Sequence, residues 1–180
     1  FVRTFLEGDL PAMGIDLPTP AVMRLWQMLA SASGSVLNRA KLADPVGVSP
    51  QSIRRYIDVL EATFMVRVLR PYHANVKKRL VKSPKVYVRD SGLLHTLLGV
   101  TDVSQLLGHI SVGASWESFV IEQICASLPA WTPAFYRTGG GAEIDLVLHR
   151  ADVCIAVEAK ASASARVGLG FTTTAADLRA

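Results

Sequence analysis

Two acidic residues and a lysine in the last third of the chain have the types and spacing that hydrolytic chemistry needs. Asp145 lies in the run 143–148, and Glu158 and Lys160 come at the end of the run beginning at Val153. Both runs alternate apolar residues with a period of two, which predicts two strands. Asp145 and Glu158 would then lie on adjacent strands, where a buried charge needs an opposite charge or a metal ion.

The chemistry predicted from these residues is metal-assisted attack of water on a phosphodiester. Carboxylates are the ligands that Mg²⁺ prefers, and a bound ion can activate and orient a water. We expect Asp145 and Glu158 to bind Mg²⁺ and Lys160 to stabilise the charge that develops on the phosphate. Glu117, on an amphipathic helix upstream, would add a third carboxylate. These four residues form the candidate catalytic group, and the three carboxylates are the candidate metal ligands.

A structural role for the same residues is the alternative. Lys160 could form a salt bridge with Asp145 or Glu158 at a strand end. Glu143 is either a further ligand or the exposed end of a strand, and we expect the exposed end. Arg137 either reaches a phosphate or pairs with Glu143 across two strands.

Positive charge is concentrated in one part of the chain. The net charge is only +4, but residues 51–90 hold ten Lys or Arg against three acidic residues, a local charge of +7. A basic block in a chain that is otherwise slightly acidic indicates a phosphate-bearing partner, and nucleic acid is the partner expected. A solvated basic face is the alternative.

The elements around the basic block predict a winged helix-turn-helix. A helix from Ala21 to about Ala32 is followed by a short helix that Asn38 caps and then by a longer one that Ser49 caps. The apolar run Met65–Leu69 and residues 85–88 predict two strands, with a basic loop between them. Three helices and a two-stranded hairpin in this order are typical of the winged helix.

The candidate nucleic-acid-binding residues come from two places in this arrangement. The start of the presumed recognition helix would contact bases or phosphates, and the loop would act as a wing on the phosphate backbone. The residues are Gln51, Ser52, Arg54, Arg55, Lys77, Lys78, Arg79 and Lys82. A protein-docking role is the alternative here, with Arg54 or Arg55 paired to Asp58 along the helix.

Several segments together resemble a known family. They are NRAKLA with GVSPQSIRRYIDVLEATFMV, KRLVKSPKVYVRDSGLLHTLLG, GASWESFVIEQ, FYRTGGGAEIDLVL and VEAK. They resemble the domain of unknown function 4143, over about residues 1–171, and the order of the helix Glu, the strand Asp and the Glu-x-Lys resembles the PD-(D/E)XK nuclease superfamily. The resemblance implies a winged-helix half and a nuclease-like half, attached to a preceding AAA-type ATPase domain.

The expected architecture is therefore α/β (α+β), a winged helix-turn-helix followed by a restriction-endonuclease-like mixed sheet. We place a winged-helix subdomain with its linker at residues 1–110 and a nuclease-like subdomain, truncated at its C-terminus, at 111–180. The chain has no G-x-x-x-x-G-K-[ST] motif, so we expect no ATP site here and look for it in a domain before Phe1. The non-catalytic alternative is a protein-docking module that keeps a degenerate nuclease-like fold.

Composition sets the remaining expectations. Half of the residues are apolar and 19% are charged, which allows a substantial core. The chain has no apolar run of about 18 residues, so we expect no membrane span and a cytoplasmic protein. Cys125 and Cys154 are expected to be reduced, buried side chains. An open sheet edge and uncovered apolar residues near Phe171 and Leu178 predict self-association.

Overall fold

The structure is a computed structural model that describes residues 1–73, 78–162, 164, 166 and 169–179. It has a helical N-terminal part followed by a mixed sheet. The helices are α1 (Val2–Thr4), α2 (Leu10–Ala12), α3 (Thr19–Ser31), α4 (Arg39–Val46), α5 (Pro50–Ala62), α6 (Ser91–Leu98), α7 (Val103–Gly108), α8 (Val112–Ser127) and α9 (Leu169–Ala176), with a π-helical segment Phe5–Asp9 and a 3₁₀ turn Asp177–Arg179. The strands are β1 (Val66–Pro71), β2 (Lys85–Val88), β3 (Thr132–Arg137), β4 (Glu143–Arg150) and β5 (Val153–Val157).

Helices α3–α5 and the β1–β2 hairpin have the predicted winged-helix order, and local capping explains their boundaries. Asn38 accepts the Lys41 N–H at 3.1 Å and starts α4, while Gly47 ends it with φ of 78°, a left-handed conformation that glycine adopts at no steric cost. Ser49 accepts the Ser52 N–H at 3.1 Å and starts α5. The mixed α/β class is therefore confirmed. Helix α7 lies within residues 100–113, where Gly108 and Gly113 in the sequence had predicted only a loose connection.

One sheet contains all five strands, in the order β2-β1-β3-β4-β5. Neighbouring strands are antiparallel except β1 and β3, which pair in parallel through Arg70–Ala134 and Pro71–Phe135. The hairpin of the winged helix is thus continuous with the strands that carry Asp145 and precede Glu158. The division into subdomains near residue 110 stays a prediction.

Three groups of buried side chains form the core. The largest lies among the N-terminal helices and the hairpin and includes the fully buried Trp26. The second lies between α8 and one face of the sheet, where Ile121 packs near Leu146 and Leu148. The third covers the opposite face, where Ile144 and neighbouring side chains pack against α9. The sheet therefore has helices on both faces.

Phe64 was predicted from its helical spacing to be a core residue, and that prediction is wrong. The residue is 71% exposed and has φ of 62°. It occupies the left-handed position just after α5, where the Phe64 N–H bonds the Glu61 carbonyl and the Met65 N–H bonds the Leu60 carbonyl. This is a Schellman C-cap, in which the chain reverses and the helical periodicity no longer applies. The Arg89 guanidinium lies over the Phe64 ring at 5.2 Å.

The apolar residues near the C-terminus are less exposed than the sequence analysis expected. Phe171 and Leu178 are half-buried against the sheet face that carries Ile144. Strand β5 does lie at the edge of the described sheet, with Val153 55% and Ile155 38% exposed. Self-association stays a prediction.

Among the described residues, the helices are too short or too polar to cross a bilayer.

A partly buried carboxylate fixes α8 to the hairpin. Glu122 is hydrogen-bonded to the guanidinium of Arg67 on β1, with the Arg67 Nη2 to Glu122 Oε2 distance at 3.0 Å. It also accepts a bond from Arg89 Nε, just after β2, at 2.8 Å. The three side chains are between 11% and 29% exposed. Removing the shared carboxylate would leave two guanidinium groups partly desolvated without a counter-charge.

We expect Glu122→Gln to lower the free energy of unfolding by about 3 kcal/mol, because breaking one partner of a buried ion pair leaves its partners unpaired. Chemical denaturation with urea measures this loss. The matched control is Glu7→Gln in the exposed Arg3–Glu7 pair, which is expected to change stability by less than about 1 kcal/mol. Equal losses in the two variants would show that the Glu122 cluster adds nothing beyond a surface pair.

Candidate functional site

The residues predicted to be catalytic come together beside α8 and the ends of β4 and β5. Asp145 Oδ2 accepts the Ala159 N–H at 2.9 Å, which joins β4 to the segment that carries Glu158 and Lys160. The negative charges of Glu117 and Glu158 both act on the Asp145 carboxylate. The structure thus brings together four residues that are up to 43 positions apart in the sequence.

A β-bulge orients Asp145 towards this site. Between two successive register pairs, β3 has one residue, Phe135, whereas β4 has two, Asp145 and Leu146. Because of this extra residue, Ile144 packs on the α9 face and Leu146 packs on the α8 face. Strict alternation along β4 would place Ile144 and Leu146 on one face, and the bulge separates them. The irregularity lies at the candidate catalytic residue, a common place for a bulge to redirect a side chain.

A buried lysine that sequence analysis did not assign to the site lies at its centre. Lys85 is 3% exposed, and its Nζ is 3.1 Å from Glu117 Oε1 and 2.6 Å from Glu143 Oε1. Burial alone would lower the pKa of Lys85, but the two carboxylates outweigh this effect and raise it above its ordinary value. The signal in the sequence was that Lys85 begins the short strand β2 (Lys85–Val88), whose other residues are Val86, Tyr87 and Val88. The sequence analysis counted this lysine only as part of the basic block.

Tyr87 is a second residue that the sequence analysis missed. Its hydroxyl donates to Glu117 Oε1 at 2.6 Å, and its side chain is fully buried. Burial, followed by the charge of Glu117, raises the pKa of Tyr87 far above its ordinary value, so the hydroxyl stays a donor. Glu117 Oε1 therefore accepts from both the tyrosine and Lys85.

Glu143 is not the exposed strand end that we expected. It is 26% exposed and pairs with Lys85 and also with Arg137, whose Nη1 lies 3.3 Å from Glu143 Oε2. Of the two roles considered for Arg137, the cross-strand pair is the one present.

Lys160 forms the salt bridge that was considered as the structural alternative. Its Nζ lies 2.5 Å from Glu158 Oε1, and the lysine side chain is 54% exposed. The hydrogen bond to Glu158 raises the pKa of Lys160 above its ordinary value. Because the pair is partly solvated, it can open at little cost in free energy.

The surroundings of Asp145 perturb its acidity. Burial, and then the charge of Glu117, raise the pKa of Asp145 to about 6, although the Ala159 N–H and Lys85 act in the opposite direction. The ionised form is disfavoured by its surroundings, as is common for carboxylates at functional sites.

The acidic cluster consists of Glu117, Asp145 and Glu158. Its oxygen donors are of the type that Mg²⁺ prefers, but the side chains are not arranged to coordinate an ion. Three carboxylates supply the hard oxygen atoms that Mg²⁺ prefers. Within the described ranges, however, no group of three or more His, Cys, Asp or Glu side chains is disposed to hold an ion. One oxygen of Glu117, Oε1, accepts from both Lys85 and Tyr87, and Glu158 Oε1 is bonded to Lys160. These bonds compete with an ion for the same oxygen atoms.

A second surface feature, the basic groove, runs between α5 and the described residues of the wing, 72–73 and 78–84. It consists of a cavity of about 520 Å³ beside α5 and one of about 1070 Å³ beside the turn at Gly139 and Gly140. His73 and Lys82 line both cavities, so the two are adjacent. The acidic residues that line the groove are Asp58 and Glu61. The cationic residues that line it are Arg39, Arg54, Arg70, Lys78, Arg79 and Lys82.

The C-terminal arm of the wing is held against the β3–β4 turn. The Arg79 carbonyl accepts the Gly139 N–H at 2.7 Å, and the Val81 N–H donates to the Arg137 carbonyl at 2.9 Å. An added Cβ at Gly139 would lie 3.4 Å from the Arg79 carbonyl oxygen, so the two segments are in van der Waals contact at this point. The position of Arg79 is therefore set by backbone contacts.

The predicted nucleic-acid-binding residues of the wing have different environments. Arg79 and Lys82 are exposed and form no ion pair with the described residues. Lys78 instead bonds both carboxylate oxygens of Asp177 at 2.8 Å. Lys77 lies outside the described residues.

On α5, Gln51 and Arg55 are exposed, and Arg54 pairs with Asp58 at 3.7 Å, one of the alternatives considered for it. The backbone N–H and hydroxyl of Ser52 are engaged by Ser49 as part of the helix cap. The backbone N–H and the hydroxyl of Ser52 are therefore already hydrogen-bonded within the fold.

Comparison with known proteins gives two family matches. Residues 1–104 match the family model described as Domain of unknown function (DUF8612), and residues 112–179 match Domain of unknown function (DUF4143). The chain belongs to the DUF8612 family and carries a DUF4143 domain. The resemblance found in the sequence is thereby confirmed for the second half, whereas the first half matches a family of its own.

Two curated relatives are similar over almost the entire chain. They are Uncharacterized protein Rv2008c of Mycobacterium tuberculosis and Uncharacterized protein Mb2031c of Mycobacterium bovis, each 37% identical over 179 residues. The match covers 99% of this chain but 41% of each relative, so the chain spans less than half of their length.

The acidic cluster joins the two family regions. Glu117, Asp145 and Glu158 belong to the DUF4143 domain, whereas Lys85 and Tyr87 belong to the DUF8612 region. The charge on the acidic residues of one region is thus balanced in part by a buried cation from the other.

We expect Asp145→Asn to raise the free energy of unfolding at pH 7.5 by about 1–2 kcal/mol, after allowance for solvent screening of this partly exposed site. The pKa of about 6 in the folded state lies above the ordinary value of 3.8, so the folded protein binds the proton more tightly. The wild-type chain should therefore lose stability as the pH rises from about 4 to about 6, and the variant should not.

Urea denaturation at pH 4 and pH 7.5 measures this difference. Asp152→Asn, at an exposed position in the β4–β5 turn, is the control and should not alter the pH dependence. A destabilisation by Asp145→Asn that is the same at both pH values would show that the carboxylate is a favourable structural partner instead.

Proposed function

We propose that this chain is a nucleic-acid-binding module of a longer, cytoplasmic ATPase-type protein. The observation that carries the proposal is the basic groove, whose lining runs from Arg54 and the later turns of α5 to the described part of the wing and the β3–β4 turn. In a winged helix the third helix and the wing are the elements that contact a duplex, with the helix in the major groove and the wing on the backbone.

The charges in the groove support this role. Arg79 and Lys82 form no ion pair with the described residues and can neutralise phosphates directly. Arg54 and Arg70 pair with Asp58 at 3.7 Å and with Glu61 at 3.6 Å, and both arginine side chains are 69% exposed. Such exposed pairs contribute little to stability, so phosphate can replace the carboxylates at small cost.

The position of the module after an ATPase domain is part of the proposal. It rests on the family resemblance found in the sequence and on the greater length of the two mycobacterial relatives. Conformational changes in an ATPase would control the access of nucleic acid to the groove.

The double variant Arg79→Ala with Lys82→Ala tests the groove. We expect the slope of log K against log salt for duplex DNA to become less steep by about 2, because each lost phosphate contact removes about 0.9 from it. Fluorescence anisotropy with a labelled duplex, over a series of salt concentrations, measures the slope. Arg3→Ala is the matched control, because Arg3 is an exposed arginine that lines a different cavity.

An unchanged slope in the double variant, or no binding of the wild-type chain at about 50 mM salt, would contradict the proposal. The docking interpretation of the winged helix would then be favoured. Lys78→Ala is a less direct test, because it also breaks the pair with Asp177.

A second proposed activity is Mg²⁺-dependent cleavage of phosphodiesters at the acidic cluster. The supporting observation is that the Ala159 N–H bond to Asp145 brings the segment with Glu158 and Lys160 beside the Asp145 carboxylate. Burial and the charge of Glu117 raise the pKa of Asp145 to about 6, so a bound cation would be favourable there. Asp145, Glu117 and Glu158 would hold the ion, which would activate the water. Lys160, once released from Glu158, would face the phosphate. The Glu158–Lys160 pair, which closes the site, supports the non-catalytic docking module as the alternative.

Cleavage of single- and double-stranded DNA and RNA by this chain and by the full-length protein, with Mg²⁺ or Mn²⁺, tests the activity. We expect Asp145→Asn and Glu158→Gln each to lower the rate at least about 100-fold, because each removes a ligand, and Asp152→Asn to leave it unchanged. Absence of cleavage by the full-length protein while duplex binding persists would favour the docking module.

A further inference from the structure

An apolar groove between α7 and α8, the aromatic groove, lies next to the acidic cluster. Its volume is about 680 Å³, within the range of small-ligand pockets. Trp116 and Phe119 lie on its α8 side and are 44% and 42% exposed. The lining also includes His95 on α6, Leu107 on α7 and Lys160.

The two aromatic residues are arranged as a platform. They are three positions apart on α8, so their side chains lie on the same face of the helix. Their ring centroids are 5.9 Å apart with an interplanar angle of 33°. By contrast, the core aromatics Tyr87, Phe135 and Tyr136 are fully buried. A pair of exposed rings in a concave site suits a flat ligand that covers their faces.

The charges around the platform favour a ligand with an anionic part. Lys160 supplies an ammonium group to this lining, and the lining includes no carboxylate among the residues that the structure describes. At the α6 side, His95 Nε2 is 2.7 Å from Ser115 Oγ, which adds a polar pair. A flat apolar portion on Trp116 with an anion near Lys160 corresponds to a nucleotide.

Helix α8 connects this groove directly to the candidate active site. Glu117 follows Trp116 in the sequence but is 18% exposed and points to Lys85 and Tyr87. Lys160 takes part in both places, since it lines the groove and pairs with Glu158. A base stacked on Trp116 would therefore hold its neighbouring phosphate close to the acidic cluster.

We propose that the aromatic groove binds an unpaired nucleobase by stacking on Trp116, so that the acidic cluster receives single-stranded nucleic acid. This inference rests on the phosphodiesterase activity proposed above and specifies its substrate class. Bases inside a duplex are stacked on one another and cannot reach such a platform, whereas a single strand offers every base.

Binding of a labelled single-stranded oligothymidylate and of a labelled duplex, both measured by fluorescence anisotropy, tests the inference. We expect Trp116→Leu to weaken single-strand binding about 5- to 150-fold, the equivalent of about 1–3 kcal/mol for one stacked base. Trp116→Phe, which keeps an aromatic face, should retain most of the affinity. Neither variant should alter duplex binding in the basic groove.

Leu107→Ser is the matched control, because Leu107 lines the same groove and is 71% exposed but offers no ring for stacking. Unchanged single-strand affinity in Trp116→Leu would overturn the inference. So would equal losses in Trp116→Leu and Leu107→Ser, which would indicate an apolar docking surface for a protein. Thermal unfolding of each variant verifies that the fold is retained.

The outcomes separate this inference from the proposed function. Loss of duplex binding in the Arg79 and Lys82 double variant reports on the basic groove alone. Single-strand binding that depends on Trp116, in a chain that does not bind duplex, would support the aromatic groove and overturn the duplex-binding proposal. Duplex binding together with Trp116-independent single-strand binding would overturn the aromatic groove and leave the duplex proposal intact.

Discussion

The burial of Lys85 between Glu117 and Glu143 is the interaction on which the rest of the arrangement depends. A lysine that is 3% exposed is tolerated only because two carboxylates lie at 3.1 and 2.6 Å. Each partner comes from a different element, since Lys85 is on β2, Glu117 on α8 and Glu143 on β4. The ion cluster therefore fixes the wing strand, the helix and the candidate catalytic strand relative to one another. The Glu122 contacts to Arg67 and Arg89 fix the same helix farther along its length.

This arrangement gives the acidic cluster its electrostatic character. Lys85 compensates Glu117 and Glu143 directly, but Asp145 gains little from it and has burial and Glu117 against its ionised form. The uneven distribution of positive charge leaves one carboxylate for which an added cation would be favourable. At the same time, the bonds to Glu117 and Glu158 keep the other two carboxylates occupied. Opening of the exposed Glu158–Lys160 pair would free a further carboxylate oxygen for the proposed ion, which offers a physical basis for control by a substrate or by another domain.

The continuous sheet relates the two proposed binding surfaces. The parallel pairing of β1 with β3 makes the winged hairpin part of the sheet that carries Asp145. The basic groove lies along the wing, and the aromatic groove lies along α8, so both are attached to one framework. A nucleic acid held on the wing and a strand bound beside α8 would have a fixed separation, without a flexible linker between them.

The sequence determined the local elements and most of the candidate chemistry. Asn38 and Ser49 specify the starts of α4 and α5 through their own side-chain bonds to nearby N–H groups, so local sequence was enough to predict them. The alternating runs around Asp145 and Glu158 likewise predicted β4 and β5. The helix with Glu117 was expected to begin at Ser115 and begins at Val112. These features depend on residues that are close in the sequence.

The tertiary structure decided which charges pair and which faces the side chains take. Lys85 and Glu117 are 32 positions apart, and nothing in the local pattern of either residue specifies the other. The bulge at Asp145 arises from the mismatch of one residue against two between β3 and β4, which appears only when the strands are paired. Phe64 is exposed because the chain reverses at the end of α5, where helical spacing no longer describes the backbone. Periodicity and capping act over a few residues, whereas burial and electrostatic pairing depend on the complete fold, and these long-range terms set the chemistry of the site.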